Sequence, residues 1–425
     1  MDDKAMPKRL SSLGFIKILS VAVVFCPQFI SSVGLKLEQL FSVLILLVLL
    51  FYFFKRQLIN VNAFYFALIY LLLLSIDAVR SIGTFIIRDS FEFIKPLLFL
   101  LFFSLGYSFK GDEKKFYSYL VFFNKLFIVV SVLGIAEATI PFINTLFTLI
   151  YKENEPVLRN KAILSFINPY YFAALLLLPV FYNLILFWGS KKQRFLFSFI
   201  ICFSCMIFTQ SKTTLLGFIF TFIIYIFIVI LHKWIPGRRV IVFMAVSFIF
   251  VVIIVLPIII SFAEKNLRYM YNGLSAFLGS LSSYDFQIII NSSNSTRLRY
   301  EQFRYVLQNQ DVFPVIGVGI GKGEVILESF YAMYLYRTGL VGIVMHFLLL
   351  CFIGKKAFSL ARLKTLHNNA NLVRLISFYI AFPIFLISLF FSYFSSAVTD
   401  QTRVAFFFYL FLGYVYSVKD YMKNS

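Results

Sequence analysis

Glu328 stands where a long polar segment, 261–327, meets the next apolar run. Arg297, Arg299 and Arg304 lie within that segment, followed by Gly317-Val318-Gly319-Ile320-Gly321-Lys322-Gly323. A carboxylate at a membrane edge is placed to act as a general base. Arginine forks suit bidentate contact with phosphate. Fixed cations also stabilise charge that develops on a phosphate leaving group. The combination fits a lipid substrate with a phosphate to bind and a hydroxyl to deprotonate. Glu324 is a rival base, placed inside the loop. The competing reading makes Glu328 a structural ion-pair partner of Arg337 or of a loop arginine.

These residues need elements to hold them, and the chain supplies mostly apolar ones. Of 425 residues, 61% are hydrophobic and 14% charged, with mean hydropathy +0.89. A soluble protein keeps about a quarter of its residues charged. Runs of about 20 apolar residues recur along the chain, the mark of a polytopic membrane protein. The expected fold is all-α, with about 12 transmembrane helices and one long, partly helical outer loop before the tenth span. The expected spans are 13–33, 38–54, 62–78, 91–109, 116–138, 167–188, 194–210, 213–232, 238–260, 329–353, 372–392 and 403–418. This divides the chain into a bundle over 1–260, the loop 261–327, and a second bundle over 328–425. Residues 297–308 have helix-forming composition, and Arg297 is spaced to pair with Glu301. Residues 261–281 are expected to form an interfacial helix. Pro141 is expected to open an outer loop of about 25 residues. The first apolar run reads as a retained helix, because no small-residue cleavage site follows it.

Lysine and arginine set the orientation. With the N-terminus inside, short inner loops hold about 21 of the 39 basic residues and both termini are cytoplasmic. The positives left outside have no topological use. About 14 in number, they include Arg80, Arg88, Arg159, Lys161, Lys212 in a tight turn between two spans, Arg297, Arg299, Arg304 and Lys322. Either they are scattered solvated charge or they form a cationic pocket built from several loops.

Other features exclude chemistry. The glycine run lacks the βαβ setting of a dinucleotide fingerprint, and Lys322-Gly323 departs from a P-loop. It remains a backbone anion cradle or a plain flexible connection. Cys202-x-x-Cys205 copies a redox spacing inside an apolar run, where packing is the better reading. The three histidines, His232, His346 and His367, have no ligand-like spacing, so no metal or other cofactor is expected. The net charge of +20 fits loop topology and anionic lipid headgroups better than nucleic acid.

Taken together, the pieces resemble a family. About twelve spans, a large late outer loop and an Arg-rich helix are followed by Pro314-Val-Ile-Gly-Val-Gly-Ile-Gly and Glu328-Ser-Phe-Tyr-Ala-Met-Tyr. Upstream, Arg159 precedes Phe166-Ile-Asn-Pro, and Thr209-Gln-Ser-Lys-Thr-Thr forms a polar turn. This pattern resembles the Wzy-type O-antigen polymerases, which are related to the O-antigen ligases. The resemblance implies a GT-C-like, metal-independent glycosyl transfer on the periplasmic face of the bacterial inner membrane. The substrates it implies are undecaprenyl-diphosphate-linked glycans, with membrane lipids and a chain-length regulator as further partners. Glu328 becomes the candidate base. Arg80, Arg88, Arg159, Lys212, Arg297, Arg299, Tyr300, Arg304 and Lys322 become candidates for the diphosphate and sugars. Lys212 occupies the place of a family arginine, and either Arg297 or Arg299 fills the loop-arginine position. The ligase branch commonly has His-Asn where this chain has Glu328-Ser329, which favours polymerase. Ligase, or a lipid-linked oligosaccharide flippase, is the alternative.

Overall fold

A computed structural model describes residues 12–26, 37–56, 90–151, 161–166, 168–231, 294–308, 315–319, 327–365 and 372–418, with isolated positions between 271 and 290. The described residues form helices and turns, with no strand among them. In chain order the helices are α1 (Ser12–Phe25), α2 (Leu37–Arg56), α3 (Ser90–Tyr107), α4 (Glu113–Thr139), α5 (Pro141–Tyr151), α6 (Pro169–Ser190) and α7 (Gln193–Phe208). There follow α8 (Lys212–Leu231), α9 (Asn294–Gln308), α10 (Phe330–Arg337), α11 (Gly339–Thr365), α12 (Val373–Ser395) and α13 (Thr402–Ser417). Four helical stretches, Glu113–Thr139, Pro169–Ser190, Gly339–Arg362 and Val373–Ser395, are long and apolar enough to cross a membrane, and shorter apolar helices surround them. The chain is an all-α polytopic membrane protein.

Apolar residues on every side of a helix demand burial on every side. α6, α12 and α13 meet that demand at the bundle centre. α13 packs along α3, and α12 lies between α6, α8 and α11. Peripheral helices turn Phe197, Ile219, Phe220, Val344, Leu348 and Phe352 outward, as lipid-facing surfaces should. Lipid tails are as apolar as leucine, so close backbone approach and packing must hold the helices together. Gly106 and Gly413 provide it between α3 and α13. A Cβ on Gly106 would overlap the Leu410 carbonyl, and one on Gly413 would overlap the Phe103 carbonyl. Gly413→Val should force these helices apart, an overpacking cost of about 1–3 kcal/mol. The detergent-solubilised protein should then melt about 2–10 °C lower, read by thermal unfolding.

One polar pair spans two helices in the apolar interior. Asn124 of α4 and Asn183 of α6 exchange side-chain hydrogen bonds of 3.0 and 2.7 Å. Cys202 and Cys205 are buried and unbridged, in keeping with packing.

Helix ends sort by chemistry. At one end Arg403 donates to the Cys26 carbonyl, Ser42 bonds Thr402, Arg337 pairs with Glu92, and the Glu137 carboxylate accepts from the Ile163 and Leu164 amides. At the opposite end lie residues read as inner-loop positives. Lys110, Lys191 and Lys356 sit over the rings of Tyr107, Trp188 and Tyr416, and Arg374 sits over Tyr117 and Phe195.

Three expectations change. The apolar run 329–353 is two helices, because Thr338 closes α10 and Gly339, with φ +65°, restarts the chain as α11. Pro141 opens the 11-residue helix α5 at the polar end, where a loop was expected. Its Phe142, Leu146 and Leu149 face outward while Tyr151 is buried. The first helix ends at Phe25. The expected spans 62–78 and 238–260 lie outside the described residues, as does most of 261–281.

Candidate functional site

The site is built on α9, whose face follows from its sequence. Positions 299, 302 and 306 fall at i, i+3 and i+7, so they share one side of a helix. Arg299, Gln302 and Val306 turn inward, while Arg297, Tyr300 and Arg304 are exposed. Arg299 places its guanidinium Nη2 on Glu328 Oε2 and donates from Nε to the Ser395 carbonyl at 2.7 Å. The competing pairing of Glu328 with Arg337 is not made. Arg337 instead reaches Glu92 of α3 at 2.8 Å, and Lys95 meets the same carboxylate at 3.1 Å.

Glu328 is held by its backbone as well. Its amide and that of Ser329 both donate to Gln302 Oε1, at 3.1 and 3.2 Å. Its carbonyl accepts from Ala397 N at 2.8 Å. Ser329, the residue before α10, spends its hydroxyl on the Tyr393 carbonyl at 3.2 Å. α10 then rests on an aromatic bed, with Phe330 stacked against Tyr393 and Tyr334 at centroid distances of 4.1 and 4.0 Å. Tyr331 and Tyr334 use their hydroxyls for packing, on the Phe390 carbonyl and on Asp400 respectively. Burial raises the Asp400 carboxyl above its usual range.

The end of α12 links this acid–arginine pair to the α7–α8 turn. Gln210 takes φ +56° and reverses the chain, so the hairpin expected around 210–214 forms. Ser211 bonds Thr214 at 2.8 Å, and Thr213 Oγ1 bonds Ser395 Oγ at 2.5 Å. Ser395 therefore touches Arg299 through its carbonyl and the Lys212-Thr213 turn through its hydroxyl. Lys212, the first residue of α8, is half-buried. Lys161 sits in the 161–166 loop, where burial lowers its pKa. The backbone of that loop is tied to the Glu137 carboxylate at 2.8 and 2.7 Å.

Of the expected residues, the fold brings together Glu328, Arg299 and the turn carrying Lys212. Arg297 pairs with Glu301 at 3.5 Å on the exposed side of α9, as its spacing implies, and Tyr300 and Arg304 are exposed beside it. Arg80, Arg88, Arg159 and Lys322 lie outside the described residues. Arg297→Ala removes an exposed i, i+4 pair of about 0.3–0.5 kcal/mol, so transfer should stay within about threefold of the parent. A loss as deep as that of Arg299→Ala would move the key arginine to 297.

The glycine run proves structural where it is described. Val318 N–H and Gly319 N–H donate to the carbonyls of Tyr336 and Arg337, at 2.7 and 2.9 Å. Those donors are committed to closing the end of α10 and do not form an anion cradle. Gly317, with φ +71°, lies so close to Arg337 and Gly339 that a Cβ would overlap their backbone. Gln302 and Ser395 were unmarked in the sequence, where Glu137 stood out only as a charge inside an apolar run. The spacing Arg299-x-x-Gln302 was a signal for the first. Ser395, just past the apolar run 372–392, gave none.

Residues 197–347 match the family model described as O-antigen ligase. The matched segment starts in α7 and ends in α11, so it carries Lys212, all of α9, the glycine run and Glu328. No curated protein and no solved structure matches the chain.

Proposed function

We propose that this chain, whose residues 197–347 match the O-antigen ligase family model, belongs to the O-antigen polymerase/ligase superfamily and polymerises undecaprenyl-diphosphate-linked repeat units at the periplasmic face of the bacterial inner membrane. One observation carries the reading: Arg299 meets Glu328 at the start of α10, beside the turn that holds Lys212. In the proposed reaction an acceptor sugar hydroxyl oxygen attacks the anomeric carbon of the donor glycan. The bond from that carbon to the diphosphate oxygen breaks, and its electron pair leaves with undecaprenyl diphosphate. Glu328 takes the hydroxyl proton. Arg299 and Lys212 balance the charge that grows on the diphosphate. The polar end of the bundle then faces the periplasm, and both termini lie in the cytoplasm.

Ligase is the second reading, favoured by the description of the matched family. It uses the same bond changes with a lipid A-core acceptor. Glu328-Ser329, standing where the ligase branch commonly has His-Asn, favours polymerase. Purified protein in liposomes with a lipid-diphosphate repeat unit decides between them. Longer lipid-linked glycans are expected from that unit alone. Product only after lipid A-core is added would make the chain a ligase. Movement of the lipid across the bilayer with no change in glycan length would make it a flippase.

A further inference from the structure

We infer that Gln302 is a positioning residue for the Glu328 carboxylate, a role that rests on the reading of Glu328 as the base. The first amides of a helix lack intrahelical partners, and a cap normally supplies an acceptor from the residue just before the helix. α10 has no such cap, and the two amides just before it are held from another helix instead. Ser329 precedes it and makes no side-chain cap, because its hydroxyl is turned to the Tyr393 carbonyl. Gln302, buried and 26 residues away, approaches from α9 with one amide oxygen. That oxygen accepts from the amides of both Glu328 and Ser329.

The geometry makes α9 a two-point grip on one residue. Gln302 holds the Glu328 backbone, and Arg299, one turn earlier on the same face, holds its carboxylate. The Glu328 carbonyl is fixed separately by Ala397 N, so the peptide planes on both sides of its Cα are tethered. The far end of α10 is locked by Arg337 on Glu92 and by the glycine turn. The outer loop contributes Gln302, on the amides of Glu328 and Ser329, and Arg299, on the carboxylate. Gln302 therefore sets where the carboxylate stands when the loop is docked, without touching substrate itself.

Two variants test this, with donor and acceptor lipid extracted from cells lacking the gene as the probe. Gln302→Met keeps the volume of the side chain and removes the acceptor oxygen. It should lower kcat by about 10- to 100-fold, the scale of a misplaced catalytic group. KM should stay near the parental value, while the thermal midpoint falls by a few degrees because two amides lose their acceptor. Gln302→Glu keeps an acceptor for both amides and should recover most of kcat. Parental kcat in Gln302→Met would overturn the inference, as would equal loss in both variants. If Gln302→Met fails to fold, Gln302→Glu decides alone, and a kcat below a tenth of the parent refutes the role. Glu328→Gln is run in parallel. An active Glu328→Gln overturns the base reading itself, whereas an inactive Glu328→Gln beside a fully active Gln302→Met overturns only the inference about Gln302.

Discussion

Glu328→Gln should leave the protein inserted and folded and slow glycan transfer by about 10²–10⁴-fold, the usual contribution of a positioned general base. In barrier terms this is about 3–5 kcal/mol. The amide matches the carboxylate in shape and still offers an oxygen to Arg299. The backbone bonds to Gln302 and Ala397 do not involve the side chain, so the start of α10 should keep its place. What is lost is the capacity to accept the acceptor hydroxyl proton. The measurement is twofold: glycan ladders from cells carrying only the variant, and single-turnover rates in liposomes. Normal ladders of long glycan would remove Glu328 from the chemistry and leave it a structural partner of Arg299.

Arg299→Ala should be nearly as severe, about 10²–10³-fold, the range seen when one preorganised stabiliser of developing charge is deleted. The side chain has two duties. Its Nε is anchored on the Ser395 carbonyl, which fixes the plane of the guanidinium. Its Nη2 lies on Glu328, beside the turn that carries Lys212. An incoming diphosphate would meet a cation already oriented. Arg299→Lys keeps the charge, gives up the fork and the Ser395 anchor, and should fall between the parent and Arg299→Ala. Rates at saturating lipid together with lipid KM separate the two duties. Loss confined to KM would make Arg299 a binding group with no share in the transition state. Equal activity of Arg299→Lys and the parent would show that orientation of the fork does not matter.

Much of this site was legible in the chain because membrane energetics simplify the sequence. A backbone polar group cannot be left unpaired in lipid, so long apolar runs must be helices. Expected spans at 38–54, 116–138, 194–210 and 372–392 accordingly fall within a few residues of α2, α4, α7 and α12. Charge in an otherwise apolar chain is conspicuous, which is why Glu328, Arg299 and the Lys212 turn stood out. Where hydropathy carried no signal, the reading failed. α5 contains no charge and begins at a proline, so composition did not separate it from a loop. The break at Thr338-Gly339 sits inside the apolar run 329–353, where Arg337-Thr338-Gly339 was too short an interruption to divide it. It becomes visible only through the positive φ of Gly339 and the docking of Val318 and Gly319 on the end of α10.

The sequence by itself determined that the protein is a helical membrane bundle, that a basic loop precedes the tenth apolar run, and that an acid waits at its far edge. It left Arg297 and Arg299 equivalent, and it left Glu328 free to pair with Arg337. Tertiary structure decided both, since helical phase puts Arg299 on the buried side of α9 while Arg297 stays with Glu301 in solvent. Arg337 is claimed by Glu92, 245 residues earlier in the chain. The glycine run followed the same logic, since its amides were open to an anion until the carbonyls of Tyr336 and Arg337 were seen to take two of them. Spacing along one chain reports which residues share a helix face. It carries no information about which distant partner satisfies a buried charge or a committed N–H, because that is settled by how the helices pack.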